Sequence, residues 1–347
     1  MTRIQLFNRI SLAATLLTLV VVVLGAFVRL SDAGLGCPDW PGCYGQTTVP
    51  QTEEEIEFAL EQWDDTPLAR EDEAWLAKAW KEMAHRYVAG ALGLMILGLA
   101  GMAWWNRRDP RQPVKLPMFL LALVIFQSLL GMWTVTLLLK PAIVLAHLIG
   151  GLATLSLLWL QYLRTRDSGP PALGPAVVGQ WGRRLRGLAV AAFTVVVLQI
   201  ALGGWVSTNY AALACPDFPT CQDEWWPEMD FREGFTLWRE LGKDYEYGIL
   251  ENAARTAIHQ THRIGAIVTL VVAGALVLAL WRVGGLMPRR LAIATGGVLL
   301  AQLLIGIGTV IFQLPLWLAT LHNAGAALLS LVMVTVLWSL YRGRPDA

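Results

Sequence analysis

Charged residues are scarce in this chain of 347 residues: only 15% are Asp, Glu, Lys or Arg, whereas about a quarter are charged in an ordinary soluble domain. Hydrophobic residues make up 55% of the sequence. Composition alone does not exclude a large soluble core, but the distribution of the apolar residues argues against one. No nucleic-acid partner is expected.

The apolar residues are grouped into eight runs, and each is long enough to cross a bilayer, which takes roughly 20 residues. The first run lacks a small-residue cleavage site and continues directly into a motif that recurs later, so it is not only a cleaved signal peptide. We therefore predict an all-α integral membrane protein whose eight helices contact lipid. The predicted spans are 7–29, 84–105, 116–138, 142–163, 187–207, 258–281, 291–313 and 317–341.

Acidic residues are almost missing from one set of segments, which comprises the two termini and the short loops 106–115, 164–186 and 282–290. These segments hold most of the Lys and Arg but only three acids, Asp109, Asp167 and Asp346. Short basic loops remain in the cytoplasm. The distribution predicts a multi-pass inner-membrane protein with both termini cytoplasmic and two long acidic loops, about 30–83 and 208–257, on the outer, periplasmic side.

An internal repeat organises the chain. Several motifs recur in the same order at offsets of 175 to 178 residues, which chance would hardly produce. We predict two pseudo-symmetric four-helix bundles with long outer loops: an N-terminal half at 1–167, a Gly- and Pro-rich cytoplasmic linker at 168–186 and a C-terminal half at 187–347. The repeated motifs are Cys37–Cys43 with Cys215–Cys221, His85-Arg86 with His262-Arg263, Gln127–Val135 with Gln302–Val310, and His147 with His322.

Cysteine is also rare, and the four cysteines form two pairs on the predicted outer side. Cys37 and Cys43 enclose one short loop, and Cys215 and Cys221 enclose the other. An oxidising compartment favours a disulfide in each pair. Zinc would need further soft ligands nearby, and the remaining alternative is a redox-active or free thiol pair.

Only five histidines occur, and four of them form the repeated pairs His85 with His147 and His262 with His322. The first member of each pair is expected in the first turn or so of its helix, and the second a few residues inside the fourth helix of the same half. An imidazole in the membrane is a functional-site hypothesis, and two on facing helices can bind haem iron axially. The fifth, His259, takes the place of Glu82 in the repeat and is given a secondary role.

Glu82 breaks the symmetry between the halves. It precedes His85 by three residues, so that it lies on nearly the same helical face, where a carboxylate could orient the imidazole or transfer protons. An acid that favours the helix N-terminus is the other interpretation. Arg29, Arg86 and Arg263, at outer helix ends, could contact haem propionates or extend to the membrane interface.

At these residues the chain resembles the heme A synthase family. The resemblance covers nearly the whole length and is carried by Gly25–Arg29, Gly34–Cys43, Glu82-x2-His85-Arg86, His147, Thr261-His262-Arg263 and His322.

The resemblance implies oxidation of the C8 methyl of haem O to a formyl group by successive hydroxylations, which gives haem A for cytochrome oxidase. It implies further that His85 and His147 bind the substrate haem O, that Glu82 is catalytic, and that His262 and His322 bind a haem b cofactor. The haem O synthase and cytochrome oxidase assembly factors are possible partners, and the electron partner stays open.

Three other functions are less favoured. A bis-histidine membrane cytochrome that only passes electrons explains the four histidines and the repeat, but not a glutamate in one half alone. A transporter is disfavoured because the histidines lie near the outer face, away from the midplane where transport sites are built. A prenyltransferase is set aside because the loops contain no Asp-rich diphosphate-binding motif.

Overall fold

The computed structural model describes residues 2–63, 74–166 and 179–342. Within these ranges the chain is helical, and eight of its helices are long and apolar enough to span a membrane. The all-α class and the eight predicted spans are therefore confirmed. The helices are α1 (Arg3–Leu30), α2 (Glu53–Gln62), α3 (Trp75–Trp105), α4 (Lys115–Thr136), α5 (Pro141–Thr165), α6 (Gly179–Thr208), α7 (Phe231–Gly234), α8 (Asn252–Val283), α9 (Leu286–Ile311) and α10 (Leu316–Tyr341).

The long helices pack into two rings of four. In the first, α1 contacts α3 and α5, and α4 contacts the same two helices. In the second, α6 and α9 each contact α8 and α10. Within the described residues α3 and α5 are therefore at opposite corners of their ring, as are α8 and α10. This arrangement leaves each of these pairs facing across the interior of its bundle.

Each ring has its own apolar core below the outer surface. Leu92, Ile96 and Leu99 of α3 pack with Phe7 of α1 and Leu158 of α5 in the first ring. A larger cluster joins α6, α8, α9 and α10 in the second. The rings meet where α1 and α5 pack against α10, and α5 against α6. The pseudo-symmetry and the boundaries of the two halves stay predictions.

Two boundaries differ from the sequence-based expectation. Part of the stretch expected as a loop, about 30–83, is helical: α2 lies within it, and Trp75 and Trp80 already belong to the membrane helix α3. The expected linker 168–186 overlaps α6, which begins at Gly179. The Gly- and Pro-rich part of that linker lies outside the described residues. A run of apolar residues predicts a membrane span, but it does not show at which residue the helix that contains the span begins.

The outer loop of the second half reaches across to the first. Arg29, at the end of α1, donates a hydrogen bond to the carbonyl oxygen of Ser207 (2.9 Å), and its guanidinium lies 4.2 Å from the ring centroid of Tyr210. The backbone N–H of Tyr245 donates to the carbonyl oxygen of Leu138, in the α4–α5 turn, at 3.1 Å. The outer surfaces of the two halves are thus joined by loop contacts.

Candidate functional site

The four repeated histidines occupy equivalent places in their helices. His85 lies ten residues after the start of α3, and His262 lies ten after the start of α8. His147 and His322 each lie six residues after the start of α5 and α10. The expectation that His85 and His262 lie in the first turn was wrong, because α3 and α8 begin well before the apolar spans.

Each histidine packs against a glycine of a neighbouring helix. A Cβ atom on Gly25 would lie 2.9 Å from Cε1 of His85, and one on Gly203 would lie 3.0 Å from Cε1 of His262. The corresponding distances are 3.5 Å for Gly131 and His147, and 2.9 Å for Gly306 and His322. The glycines therefore let α1, α4, α6 and α9 approach the imidazoles more closely than a larger residue would allow.

The imidazoles pack against neighbouring helices but are not fully buried. The Nδ1 atoms of His85, His147 and His322 are buried without a hydrogen-bond partner among the described residues, although each side chain is only half-buried. His85 and His147 lie on α3 and α5, and His262 and His322 lie on α8 and α10, so each predicted pair comes from helices at opposite corners of one ring. That each pair binds one ligand stays a prediction.

Glutamine side chains support the histidine backbone. The amide nitrogen of Gln302 donates to the carbonyl oxygen of His322 at 2.8 Å. That of Gln199 donates to the carbonyl oxygen of His262 at 3.0 Å and also lies 3.0 Å from its Nδ1. Gln199 corresponds to Val21 in the first half, so His262 alone has this contact to its ring.

The repeated cysteine motifs form two similar loops. The disulfides Cys37–Cys43 and Cys215–Cys221 are both present, as predicted. In the second loop, Asp217 accepts hydrogen bonds from the Thr220 hydroxyl and from the backbone N–H groups of Gln222 and Asp223. Burial acts to raise the pKa of Asp217, but these hydrogen bonds outweigh it, and the pKa is lowered.

The arginine that follows each histidine fastens the disulfide loop to the helix. Arg86 donates to the carbonyl oxygens of Asp39 and Gly42. Arg263 donates to those of Thr220 at 2.7 Å, Asp217 at 2.7 Å and Cys215 at 3.0 Å. The His-Arg dipeptide thus links each imidazole to the loop beside it. Contact of Arg29, Arg86 and Arg263 with propionates stays a prediction, and in this structure all three bond to protein atoms.

Glu82 is buried, with 5% of its surface exposed. One carboxylate oxygen accepts a hydrogen bond from the backbone N–H of Cys37 at 2.9 Å, and the other accepts one from Arg86. Neither bonds to His85, so the contact considered for orienting the imidazole is not formed. The carboxylate instead joins the first disulfide loop to the helix of His85.

His259 occupies the position of Glu82 in the second half. It is 4% exposed, and its Nε2 lies 3.3 Å from Nε of Arg263. The contact between Arg86 and Glu82 in the first half thus has a counterpart in the contact between Arg263 and His259, in which an imidazole replaces the carboxylate. The two sites consequently share a scaffold and differ in charge.

Sequence reasoning did not assign the glycines and Gln199 to the site. A signal for Gly131 and Gly306 was present, because both belong to the repeated motif that begins at Gln127 and Gln302. Gln199 has no repeat partner and lies on a helix that carries no histidine, so only the packing of α6 against α8 reveals it.

Comparison with known proteins agrees with this site. Residues 8–334 match the model of the COX15-CtaA family, described as cytochrome oxidase assembly protein. The chain belongs to the COX15-CtaA family. Among its relatives, a heme A synthase of Shewanella oneidensis is 43% identical over 326 residues, which cover 93% of each chain. One of Rhizorhabdus wittichii is 28% identical over 342 residues, or 94% of this chain and 91% of the relative.

A third relative, a heme A synthase of Halalkalibacterium halodurans, matches a shorter region. It is 30% identical over 215 residues, which cover 60% of this chain and 62% of the relative. Membership of the COX15-CtaA family thus agrees with the resemblance noted in the histidine, arginine and cysteine motifs.

Proposed function

We propose that this chain is a heme A synthase: an oxidoreductase that converts the C8 methyl of haem O to a formyl group. The observation that carries the proposal is the first-half site, in a chain 43% identical to a heme A synthase over 93% of its length. There His85 and His147 come from helices at opposite corners of one ring, and the buried carboxylate of Glu82 lies three residues before His85. Successive hydroxylations of the methyl lead through an alcohol and a hydrated aldehyde.

The second-half residues fit a haem b cofactor. His262 and His322 come from α8 and α10, which lie at opposite corners of the second ring of helices. Each imidazole is half-buried and packs against a glycine of a neighbouring helix. Two neutral imidazoles are a common axial ligand set for haem iron. Haem b would supply electron transfer there, and Gln199 would fix the orientation of one ligand.

His85 and His147 hold the substrate in the first half. Their Nδ1 atoms are buried without a hydrogen-bond partner among the described residues, and each ring packs against a glycine of a neighbouring helix, so packing restrains both imidazoles. Glu82, three residues from His85, is the nearest acid in sequence and is the residue we assign to proton transfer. Its bonds to Cys37 and Arg86 hold the carboxylate in one place and tie it to the outer loop.

The bis-histidine cytochrome is the less favoured function. It would use both histidine pairs in the same way, and so gives no reason for Glu82 in one half and His259 in the other. The relatives named as heme A synthases do not favour it either.

The proposed setting is the inner membrane, with both termini cytoplasmic and the disulfide loops on the periplasmic side. The basic short loops and the two disulfides support this orientation. Haem O synthase and cytochrome oxidase assembly factors are proposed partners for substrate delivery and product release.

Haem extraction and chromatography test the function. Cells that supply haem O would produce the wild type, Glu82→Gln and, as a matched control, Glu61→Gln, which changes an exposed acid of α2. We expect haem A in the wild type and control, and accumulation of haem O or its alcohol in Glu82→Gln with bound haem retained. No haem A in the wild type would refute the function, and normal haem A in Glu82→Gln would refute only the role of Glu82.

A further inference from the structure

Lys140 is buried without a counter-charge. It lies in the outer turn between α4 and α5 and is 1% exposed, which makes it the one fully buried Lys or Arg among the described residues. Its Nζ atom has no hydrogen-bond acceptor there and forms none of the ion pairs found in these ranges. Lysine is almost never fully buried unless it is paired.

The contact that the Lys140 ammonium makes favours its charged form. Its Nζ lies 3.6 Å from the ring centroid of Trp238, in the outer loop of the second half. An aromatic face attracts an ammonium but accepts no conventional hydrogen bond, so the three N–H donors remain unsatisfied. Burial lowers the pKa of Lys140. An anion beside Nζ would satisfy the donors and offset the cost of burying the charge.

The place of Lys140 in α5 points to the site of that anion. Lys140 is the N-cap residue of α5 and precedes His147 by seven residues. Seven residues are two helical turns, or about 10 Å along the axis, toward the outer surface. The carboxylate arms of a porphyrin held by His147 would have to extend this far toward the start of α5 to meet the ammonium. The N-terminus of α5 also favours negative charge.

The second half lacks this cation. The α4–α5 and α9–α10 turns have the same backbone form, since Leu138, Leu139, Gln313 and Leu314 all have positive φ angles. In the second half, the residue seven positions before His322 is Pro315, which is uncharged. The feature therefore belongs to one of the two sites, the one that we assign to the substrate.

We infer that Lys140 is a carboxylate-binding residue of the first-half site, whose ammonium holds a propionate of the substrate porphyrin while Trp238 covers it from the outer side. The inference rests on the proposed function for the identity of the porphyrin. It deepens that function, because a residue present in one half would help to select and position the substrate rather than the cofactor.

Binding of two forms of the same ligand tests it. The full chain would be purified in an uncharged detergent from cells that make haem b but no haem O. It would then be titrated with haem O and with its dimethyl ester, which lacks the carboxylate charges. The variants are Lys140→Met, Lys140→Arg and the matched control Lys243→Met, which removes an exposed lysine of the outer loop. An unchanged absorption band of the haem at His262 and His322 shows that each variant folds.

We expect Lys140→Met to weaken haem O binding about tenfold or more, as for the loss of a charge-assisted hydrogen bond. Binding of the diester should change little, and Lys140→Arg should restore most of the preference for haem O. Equal losses for both ligands, or no loss for haem O, would overturn the inference. A wild type that shows the expected preference but makes no haem A would refute the proposed function and leave the carboxylate contact standing.

Discussion

The glycine under His85 gives the sharpest test of how the first site is built. In Gly25→Ala, the new Cβ would lie 2.9 Å from Cε1 of His85, whereas ordinary contact begins at about 3.4 Å, so the ring must retreat by about half an ångström. Because Nδ1 of the imidazole is already buried, the ring has little room to retreat, and we expect its orientation relative to His147 to change. Overpacking of this kind costs about 1–3 kcal/mol, which corresponds to a loss of roughly five- to 150-fold in the affinity for a bound haem.

Gly131→Ala is the matched control, because its Cβ would lie 3.5 Å from His147, at ordinary contact distance. Both changes replace a helical glycine by alanine and gain about 1 kcal/mol of helix propensity, so this gain cancels in the comparison. Haem per protein would be measured by extraction, with the absorption spectrum reporting the axial ligands. We expect Gly25→Ala to lose haem from the first site while Gly131→Ala keeps it. Equal haem content in the two variants would show that the packing of His85 against Gly25 does not control haem binding.

Three further predictions concern the contacts around the sites. Gln199→Leu removes the contact to Nδ1 of His262, so we expect a shifted midpoint potential for the second-half haem alone, measured by spectroscopic redox titration; an unchanged potential would contradict an orienting role. Asp217→Asn should destabilise the outer loop at neutral pH, because the pKa of the Asp217 carboxyl is lower in the folded than in the unfolded chain. The carboxylate therefore contributes stability at pH values above its unfolded pKa, near 3.8, and this contribution is lost as the pH falls through the folded pKa. The deficit in melting temperature should therefore shrink toward low pH, and a deficit independent of pH would exclude the charge as its cause. Arg263→Gln removes hydrogen bonds to three loop carbonyls, and faster hydrogen exchange in 215–224 than in wild type is expected, whereas unchanged exchange would show that the disulfide alone orders the loop.

The membrane spans and the cysteine pairs could be read from the sequence, whereas the pairing of the histidines around a ligand stays a prediction. Spans follow from apolar length, and the disulfides follow from repeated spacing on the outer side. The position of Glu82 was visible too, but its partners were not. Cys37 is 45 residues away in sequence, and its N–H reaches Glu82 only because the loop folds back onto α3.

Contacts between the two halves could not be predicted from local sequence patterns for the same reason. Nothing in the sequence around Lys140 indicates that Trp238 lies on it, since the two residues belong to different repeats and different loops. The start of α3 was misplaced because polarity marks the edge of a membrane span, whereas a helix continues as long as its backbone hydrogen bonds do. Pairing across loops depends on the packed structure and must be observed there.

Three differences between the halves lie near the paired histidines, and we propose that they separate the roles of the two sites. Equivalent positions hold Glu82 and His259, Val21 and Gln199, and Lys140 and Pro315. The first half thus has a buried carboxylate and a buried ammonium, both suited to a reacting, carboxylate-bearing ligand. The second half instead has uncharged side chains and a ring contact that holds one ligand in place. A duplicated electron carrier would need no such division, since both sites would do the same work. Exchange of Lys140 and Pro315 between the halves would therefore be expected to abolish haem A formation without creating a second substrate site, because the carboxylate at position 82 would still be missing from the other half.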